Sequence, residues 1–296
     1  MRRYLIGLVG LAVVGLAVFW LVTQPHKRDM APYAGLTGDK VHGEQVFWAT
    51  GCASCHAADG AKAEARLVLT GGQRFTSPFG TFLAPNISTD PDHGIGGWSL
   101  DDFVYAVQDG VSPAGEHYFP AMPYVAYSKM EPQDVVDLKA YMDTLPPSAT
   151  PSLPHQVGFP FNIRRSLGGW KVLFASDSYV LQGDLSAPVQ RGRYIAESMA
   201  HCGECHTPRN LLGGLKRASW LGGAATPDGK GKVPNITPGK LDWSEADILA
   251  FLTTGFKPDF DVVGGTMAHV VDNMGHLPES DVRAVVAYLK AVPAVP

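Results

Sequence analysis

Two five-residue stretches decide the fold: Cys52-Ala53-Ser54-Cys55-His56 and Cys202-Gly203-Glu204-Cys205-His206. They use all four cysteines of the 296-residue chain. A pair of thiols separated by two residues, with histidine directly after the second, is the C-x-x-C-H pattern that attaches c-type haem. The thiols add to the porphyrin vinyl groups, and the adjacent imidazole is thereby held against one face of the ring, where it can bind iron. Cys52, Cys55, Cys202 and Cys205 are thus the expected attachment residues, and His56 and His206 the expected proximal ligands. Two other uses of paired cysteines compete. A thioredoxin-like redox pair needs no following histidine and sits near a βαβ pattern, which is not seen here. A zinc site built from all four thiols would leave both histidines without a role. The expected cofactors are two covalently bound haem c groups.

Outward from these motifs the chain repeats itself. Pro85-Asn86-Ile87-Ser88 answers to Pro234-Asn235-Ile236-Thr237, Trp98-Ser99-Leu100-Asp101-Asp102 to Trp243-Ser244-Glu245-Ala246-Asp247, Gly110 to Gly255, and Ala140-Tyr141-Met142 to Ala287-Tyr288-Leu289. The offsets run between 150 and 145 residues, so the two copies differ by small insertions and deletions. Each Ser-x-x-Asp reads as a capping box opening a helix, with Ser99 and Ser244 as N-caps. Val135, Leu138 and Met142 fall on one helical face, as do Val282, Val285, Val286 and Leu289. The expected fold class is mainly α: two tandem class I cytochrome c-like haem domains, each a few short helices wrapped by long loops, plus an N-terminal transmembrane helix. The expected division is 1-28 as membrane anchor, 36-147 as the first cytochrome c domain, 148-184 as inter-domain linker and 185-296 as the second cytochrome c domain.

The second axial position of a sealed haem pocket is usually filled by His or Met, and Met/His ligation raises the reduction potential. The repeat chooses among eight methionines. Met122 lies 24 residues after Trp98 and 12 after Gly110; Met267 lies 24 after Trp243 and 12 after Gly255. Met130 and Met274 fail this match and read as packing. Of the rival histidines His42, His93, His117, His155, His201, His269 and His276, none has a counterpart in the other copy. Met122 and Met267 are therefore the expected sixth ligands. Both Asn-Ile-Ser/Thr triplets also match a glycosylation sequon, but each Pro-Asn-Ile stretch reads better as a turn lining the haem pocket, its Asn amide bonding backbone or a propionate.

From Tyr4 to Val22 every residue is apolar or Gly, close to the ~20 needed to cross a bilayer. The following Thr23-Gln24-Pro25-His26-Lys27-Arg28 offers no small-residue cleavage site, which favours an uncleaved anchor over a signal peptide. Haem c is attached outside the cytoplasm, so residues 29 onward are expected in the periplasm, on a single-pass inner-membrane protein. Residues 1-28 hold four basic side chains and no acid, leaving 20 Lys+Arg against 28 Asp+Glu, a net −8, for the rest. An acidic body repels phosphate backbones, so nucleic acid is an unfavourable partner. Hydrophobic residues at 45% exclude a disordered chain, and the unperiodic 33 Gly and 23 Pro exclude collagen and coiled coil.

With these residues read, the sequence resembles the cytochrome c subunits of membrane-bound periplasmic dehydrogenases acting on alcohol, aldehyde and gluconate. The resemblance covers most of residues 38 to 293. Its more specific parts are Ser77-Pro78-Phe79-Gly80-Thr81, Pro85-Asn86-Ile87, Gly94-Ile95-Gly96-Gly97-Trp98-Ser99, Tyr118-Phe119-Pro120-Ala121-Met122-Pro123-Tyr124, Phe161-Asn162-Ile163-Arg164 and Cys205-His206-Thr207-Pro208-Arg209-Asn210-Leu211-Leu212-Gly213. It implies a subunit that takes electrons from a separate catalytic subunit and passes them to a quinone, a terminal oxidase or a soluble cytochrome. The chain departs from that pattern in carrying two haem motifs where such subunits typically have three, and in its N-terminal membrane helix. Similar cytochromes also resemble electron acceptors of molybdenum hydroxylases such as nicotinate dehydrogenase.

Closed axial positions leave no coordination site for substrate, so the expected role is electron transfer, with the chemistry on another polypeptide. The rival is a haem enzyme such as a dihaem peroxidase, which needs an openable iron, or a thiosulfate-oxidising cytochrome, whose cysteine-ligated haem needs a spare thiol. The linker, through Phe159, Phe161 and Trp170, is expected to pack across both haem domains rather than act as a mobile tether.

Overall fold

The structure is a computed structural model that describes residues 2–296. It is mainly helical, with few strands. The first helix, α1 (Arg2–Val22), carries no acidic residue and buries none of its side chains against the rest of the protein. Its 21 residues reach about 30 Å at 1.5 Å per residue.

The first half follows. Helix α2 (Lys40–Thr50) is opened by the Asp39 carboxylate, which accepts from the N–H groups of Val41 and His42. It stops at Gly51, whose φ of +68° turns the chain directly into α3 (Cys52–His56). A hairpin of β1 (Arg74–Ser77) and β2 (Gly80–Leu83) leads to α4 (Leu100–Val104), which continues as a π-helical turn over Tyr105–Asp109. Helices α5 (Tyr124–Tyr127) and α6 (Pro132–Met142) complete this half. Strand β3 (Gln156–Val157) adds antiparallel to β2, with Gln156 opposite Thr81, and is followed by α7 (Ser166–Phe174).

The second half runs through α8 (Ala187–Tyr194) with its π-helical turn Ile195–Met199, α9 (Gly203–His206), the two-stranded ribbon β4 (Ala224–Ala225) and β5 (Lys232–Val233), α10 (Glu245–Thr254), α11 (Thr266–Met274) and α12 (Glu279–Ala291). Both capping boxes are formed: Ser99 accepts from the Asp102 N–H and Ser244 from the Asp247 N–H, and each aspartate side chain reaches back to its serine. The helical faces read from periodicity are buried, with Val135, Leu138 and Met142 in α6 and Val282, Val285, Val286 and Leu289 in α12 all at 5% exposure or less.

In each half the first and last helices cross at a glycine. Gly43 of α2 lies against the Asp137 carbonyl and Tyr141 Cβ of α6; Gly192 of α8 lies against the Ala284 carbonyl and Tyr288 Cβ of α12. No larger residue admits this approach, which fixes how deep the C-terminal helix of each half sits.

One continuous apolar core runs through both halves, from Phe47, Trp48 and Leu138 to Ile195, Val285 and Tyr288. Polar bonds tie the halves along the same seam. The Arg66 guanidinium donates to the carboxylate of Asp272 and, at 2.7 Å, to Asn273 Oδ1, while Asn273 Nδ2 donates to Ser54 Oγ at 2.9 Å. His276 stacks on Trp48 with ring centroids 3.9 Å apart. Tyr194 Oη donates to the Asp134 carboxylate and accepts from the Glu131 N–H.

The connecting segment touches both halves. Against the first, Arg164 donates to the His117 carbonyl at 2.9 Å, and Lys171 donates to the carbonyls of Asp109 and Gly110 at 2.6 and 2.9 Å. Against the second, Trp170 Nε1 donates to the Leu212 carbonyl at 2.9 Å, and Arg217 donates to the Ser178 carbonyl at 2.8 Å. The exit of α1 is also pinned, since the Thr23 carbonyl accepts from His117 Nε2 at 2.9 Å and Arg28 pairs with Asp109 at 2.9 Å.

Candidate functional site

The two C-x-x-C-H segments are built alike. In each, a single helical turn carries the second cysteine and the histidine, on α3 and α9. His56 Nδ1 lies 2.8 Å from the Pro85 carbonyl oxygen, and His206 Nδ1 lies 2.8 Å from that of Pro234. A carbonyl can only accept, so both Nδ1 atoms carry the proton and both Nε2 atoms keep a free lone pair, the tautomer a metal ligand needs. Burial pushes both imidazoles below their ordinary pKa, which keeps them neutral. The backbone around them also repeats. The Gly71 N–H donates to the His56 carbonyl and the Gly223 N–H to the His206 carbonyl, each at 2.7 Å. The Ile87 N–H donates to Leu69 and the Ile236 N–H to Leu221, each at 3.0 Å.

Sequence reading missed the two proline carbonyls, although Pro85 and Pro234 recur at an offset of 149. Each asparagine beside them bonds backbone. Asn86 Nδ2 donates to the carbonyls of Ser148 and Thr150 at 2.7 and 2.8 Å, and Asn235 Nδ2 donates to the Val295 carbonyl at 2.9 Å. Each also accepts from the N–H two residues on, at 2.9 Å. The asparagine therefore straps the proline turn to the chain that follows the last helix of its half, and the proline carbonyl holds the histidine.

Burial pushes the thiols of Cys52 and Cys55 up to about 11 and that of Cys202 up to about 12, and raises Cys205 as well. Among the described residues, His42, Asp134 and Asp137 form a group able to converge on one metal ion, whereas the four cysteines do not. Paired neutral thiols beside a free imidazole nitrogen suit thioether attachment with axial ligation.

Met122 sits half-buried in the turn between Phe119 and α5, with its N–H on the Phe119 carbonyl at 3.2 Å. It lines a cavity with Pro120, Trp170, Phe174, Glu204 and Arg209, so this part of the first half opens toward the residues around the second motif. Met267 is half-buried near the start of α11. Both pack against the shared core, whereas Met130 and Met274 are members of it, at 3% and 2% exposure. Most rival histidines are engaged elsewhere: His42 with Asp137, His93 with Asp90, His117 with Thr23, His155 with the Leu83 N–H, and His276 with Trp48. His201 packs edge-on against Tyr127, centroids 5.6 Å apart.

The chain just before each motif meets at Tyr127, whose Oη donates to the Thr50 carbonyl at 2.7 Å and whose ring packs against His201, centroids 5.6 Å apart.

The cytochrome c family profile matches residues 41–146. A diheme cytochrome c-type protein of Cereibacter sphaeroides is 55% identical over 296 residues, the whole of both chains. The fructose dehydrogenase cytochrome subunit of Gluconobacter japonicus is 38% identical over 85% of this chain and 52% of its own length. The cytochrome c subunit of the quinone-dependent alcohol dehydrogenase of Gluconobacter oxydans is 36% identical over 86% of this chain and 55% of its own. The chain thus spans about half the length of these two dehydrogenase subunits.

Proposed function

We propose, because this chain belongs to the dihaem c-type cytochrome family, that its two haem c groups relay electrons from the catalytic subunit of a periplasmic dehydrogenase to the respiratory chain. Each haem supplies one-electron exchange at iron. In this reading Cys52 and Cys55 anchor one group, with His56 and Met122 closing its iron. Cys202 and Cys205 anchor the other, with His206 and Met267 closing its iron. Residues 36-147 and 185-296 are the two haem domains, 148-184 the linker and 1-28 an anchor in the inner membrane, with both domains in the periplasm. The exit acceptor is a quinone, a terminal oxidase or a soluble cytochrome.

The observation that carries this reading is the doubled histidine geometry, His56 on Pro85 and His206 on Pro234 at the same 2.8 Å. A hydrogen bond from Nδ1 orients the ring and raises the basicity of Nε2. The protein's own residues do the remaining work. The shared core and the Arg66 and Asn273 bonds hold the two motifs at a fixed separation, and α1 would raise the effective concentration of donor and acceptor.

The test uses the purified full chain. It should carry two covalent haems, bind no added carbon monoxide, turn over no peroxide or thiosulfate, and co-purify from native membranes with a dehydrogenase. Met122→Leu and Met267→Leu should each open one iron to carbon monoxide and lower one potential, with the haem count unchanged; Met130→Leu should do neither. A parent protein that binds carbon monoxide or turns over peroxide would overturn the assignment.

A further inference from the structure

The helix α7 is apolar on both faces and keeps its one lysine on the inner one. Its inner face carries Leu167, which is buried, Lys171, whose ammonium serves two carbonyls, and Phe174, which packs on Gly214. Burial has pushed that lysine down to about 8. The other face carries Val172 and Leu173, which are 61% and 67% exposed. A surface helix ordinarily buries its Val and Leu and solvates its Lys.

This outward face continues directly from the end of α1. Gly168 packs on the Thr23 carbonyl, and a Cβ added at Gly169 would lie 3.8 Å from Thr23 Cγ2. Val172 and Leu173 stand one helical turn further along the same face, at i+4 from those glycines. Arg165 donates to Thr23 Oγ1 at 2.9 Å and stacks over Trp20 at 4.1 Å, within the last turn of α1. Trp and Arg are the side chains that settle where hydrocarbon gives way to headgroups. On the far side, Trp170 holds the 210–213 loop, whose Leu211 and Leu212 are 97% and 57% exposed.

We propose that the outer face of α7, with Val172 and Leu173, together with Leu211 and Leu212, lies in the headgroup region of the bilayer beside α1 and forms a second contact with the membrane. The inference rests on α1 being a membrane anchor. It explains why an apolar face is left bare only one turn from an apolar helix long enough to span, and it fits the depth of about 5–10 Å at which interfacial helices bury their apolar side. Such a contact would hold the body against the lipid surface, adding to the bonds by which His117 and Asp109 already fix it to the exit of α1.

The test is a depth measurement on the full chain in vesicles of phosphatidylcholine and phosphatidylglycerol. Since the native cysteines hold haem in this reading, a nitroxide can be placed on a single added thiol, at Leu173→Cys or Leu211→Cys, with Val13→Cys and Asp92→Cys as references and both irons reduced. Collisions with oxygen, relative to a water-soluble nickel complex, should exceed those at position 92 several-fold at both 173 and 211. If 173 and 211 match 92 while 13 reads as lipid, the anchor stands and the second contact is wrong. If 13 also matches 92, the anchor reading fails with it. Protection of 173 and 211 from both collision partners would mean a protein cover, a second copy or another subunit, and would equally overturn the lipid assignment.

Discussion

Replacing Gly43 or Gly192 by alanine sets two physical effects against each other. Both residues lie inside helices, where Gly→Ala ordinarily gains about 1 kcal/mol of helix propensity. At Gly43, however, the added Cβ would come within 2.7 Å of the Asp137 carbonyl carbon and 2.9 Å of Tyr141 Cβ; at Gly192 it would come within 2.5 Å of the Ala284 carbonyl carbon and 2.8 Å of Tyr288 Cβ. Ordinary contact begins near 3.4 Å, so the paired helices must part by about 0.7 Å or more. The obstacle is helix backbone, which cannot rotate aside as a flexible side chain would. Overpacking of this kind costs about 1–3 kcal/mol, and a rigid obstacle places the cost near the top of that range. The net expectation is a loss of about 2 kcal/mol for either variant. That loss corresponds to a fall in melting temperature of roughly 4–8 °C for a folded body of this size. Thermal unfolding followed by circular dichroism, on protein carrying its full complement of haem, measures it. A rise in melting temperature in either variant would mean that propensity outweighs contact and that the helix crossing is not glycine-limited.

Burial alone would push the Asp137 carboxyl up, but the Asp39 N–H and the side chains of His42 and Gln133 hold it net below its usual value. A carboxylate depressed from roughly 3.9 contributes stability that is present at neutral pH and is lost as pH falls through its folded value. Asp137→Asn should therefore unfold at lower denaturant than the parent near pH 7, with the difference shrinking as pH falls below the ordinary carboxylate range; a difference independent of pH would refute this. Arg66→Ala strips the seam of its bonds to Asp272 and Asn273 and of the guanidinium lying 4.9 Å over Trp48. Leaving the Asn273 acceptor buried should cost about 1–3 kcal/mol. Denaturant unfolding should show the loss, and limited proteolysis should cut faster within 148–184; an unchanged midpoint would mean that the apolar core alone holds the halves together.

What could be read from the chain alone was chemistry at short, fixed spacing and its recurrence. C-x-x-C-H must be local because two thioethers and one imidazole address a single ring. Ser99 and Ser244 could be named as caps because a capping box spans four residues, and the faces of α6 and α12 followed from helical period. The repeat separated Met122 and Met267 from Met130 and Met274, and the latter pair is indeed core. Tertiary structure alone decided the features that no side-chain identity marks. The acceptors for His56 and His206 are backbone carbonyls, which every residue has. Nothing in the sequence marks Gly43 and Gly192, because what requires glycine there is the carbonyl of another helix lying against each. The seam joining Arg66 to Asn273 links residues more than 200 positions apart, with no spacing rule to reveal it. The outward face of α7 is hidden in the same way, because a short apolar run containing one lysine is assigned the lysine as its wet side until the partners of Lys171 are known.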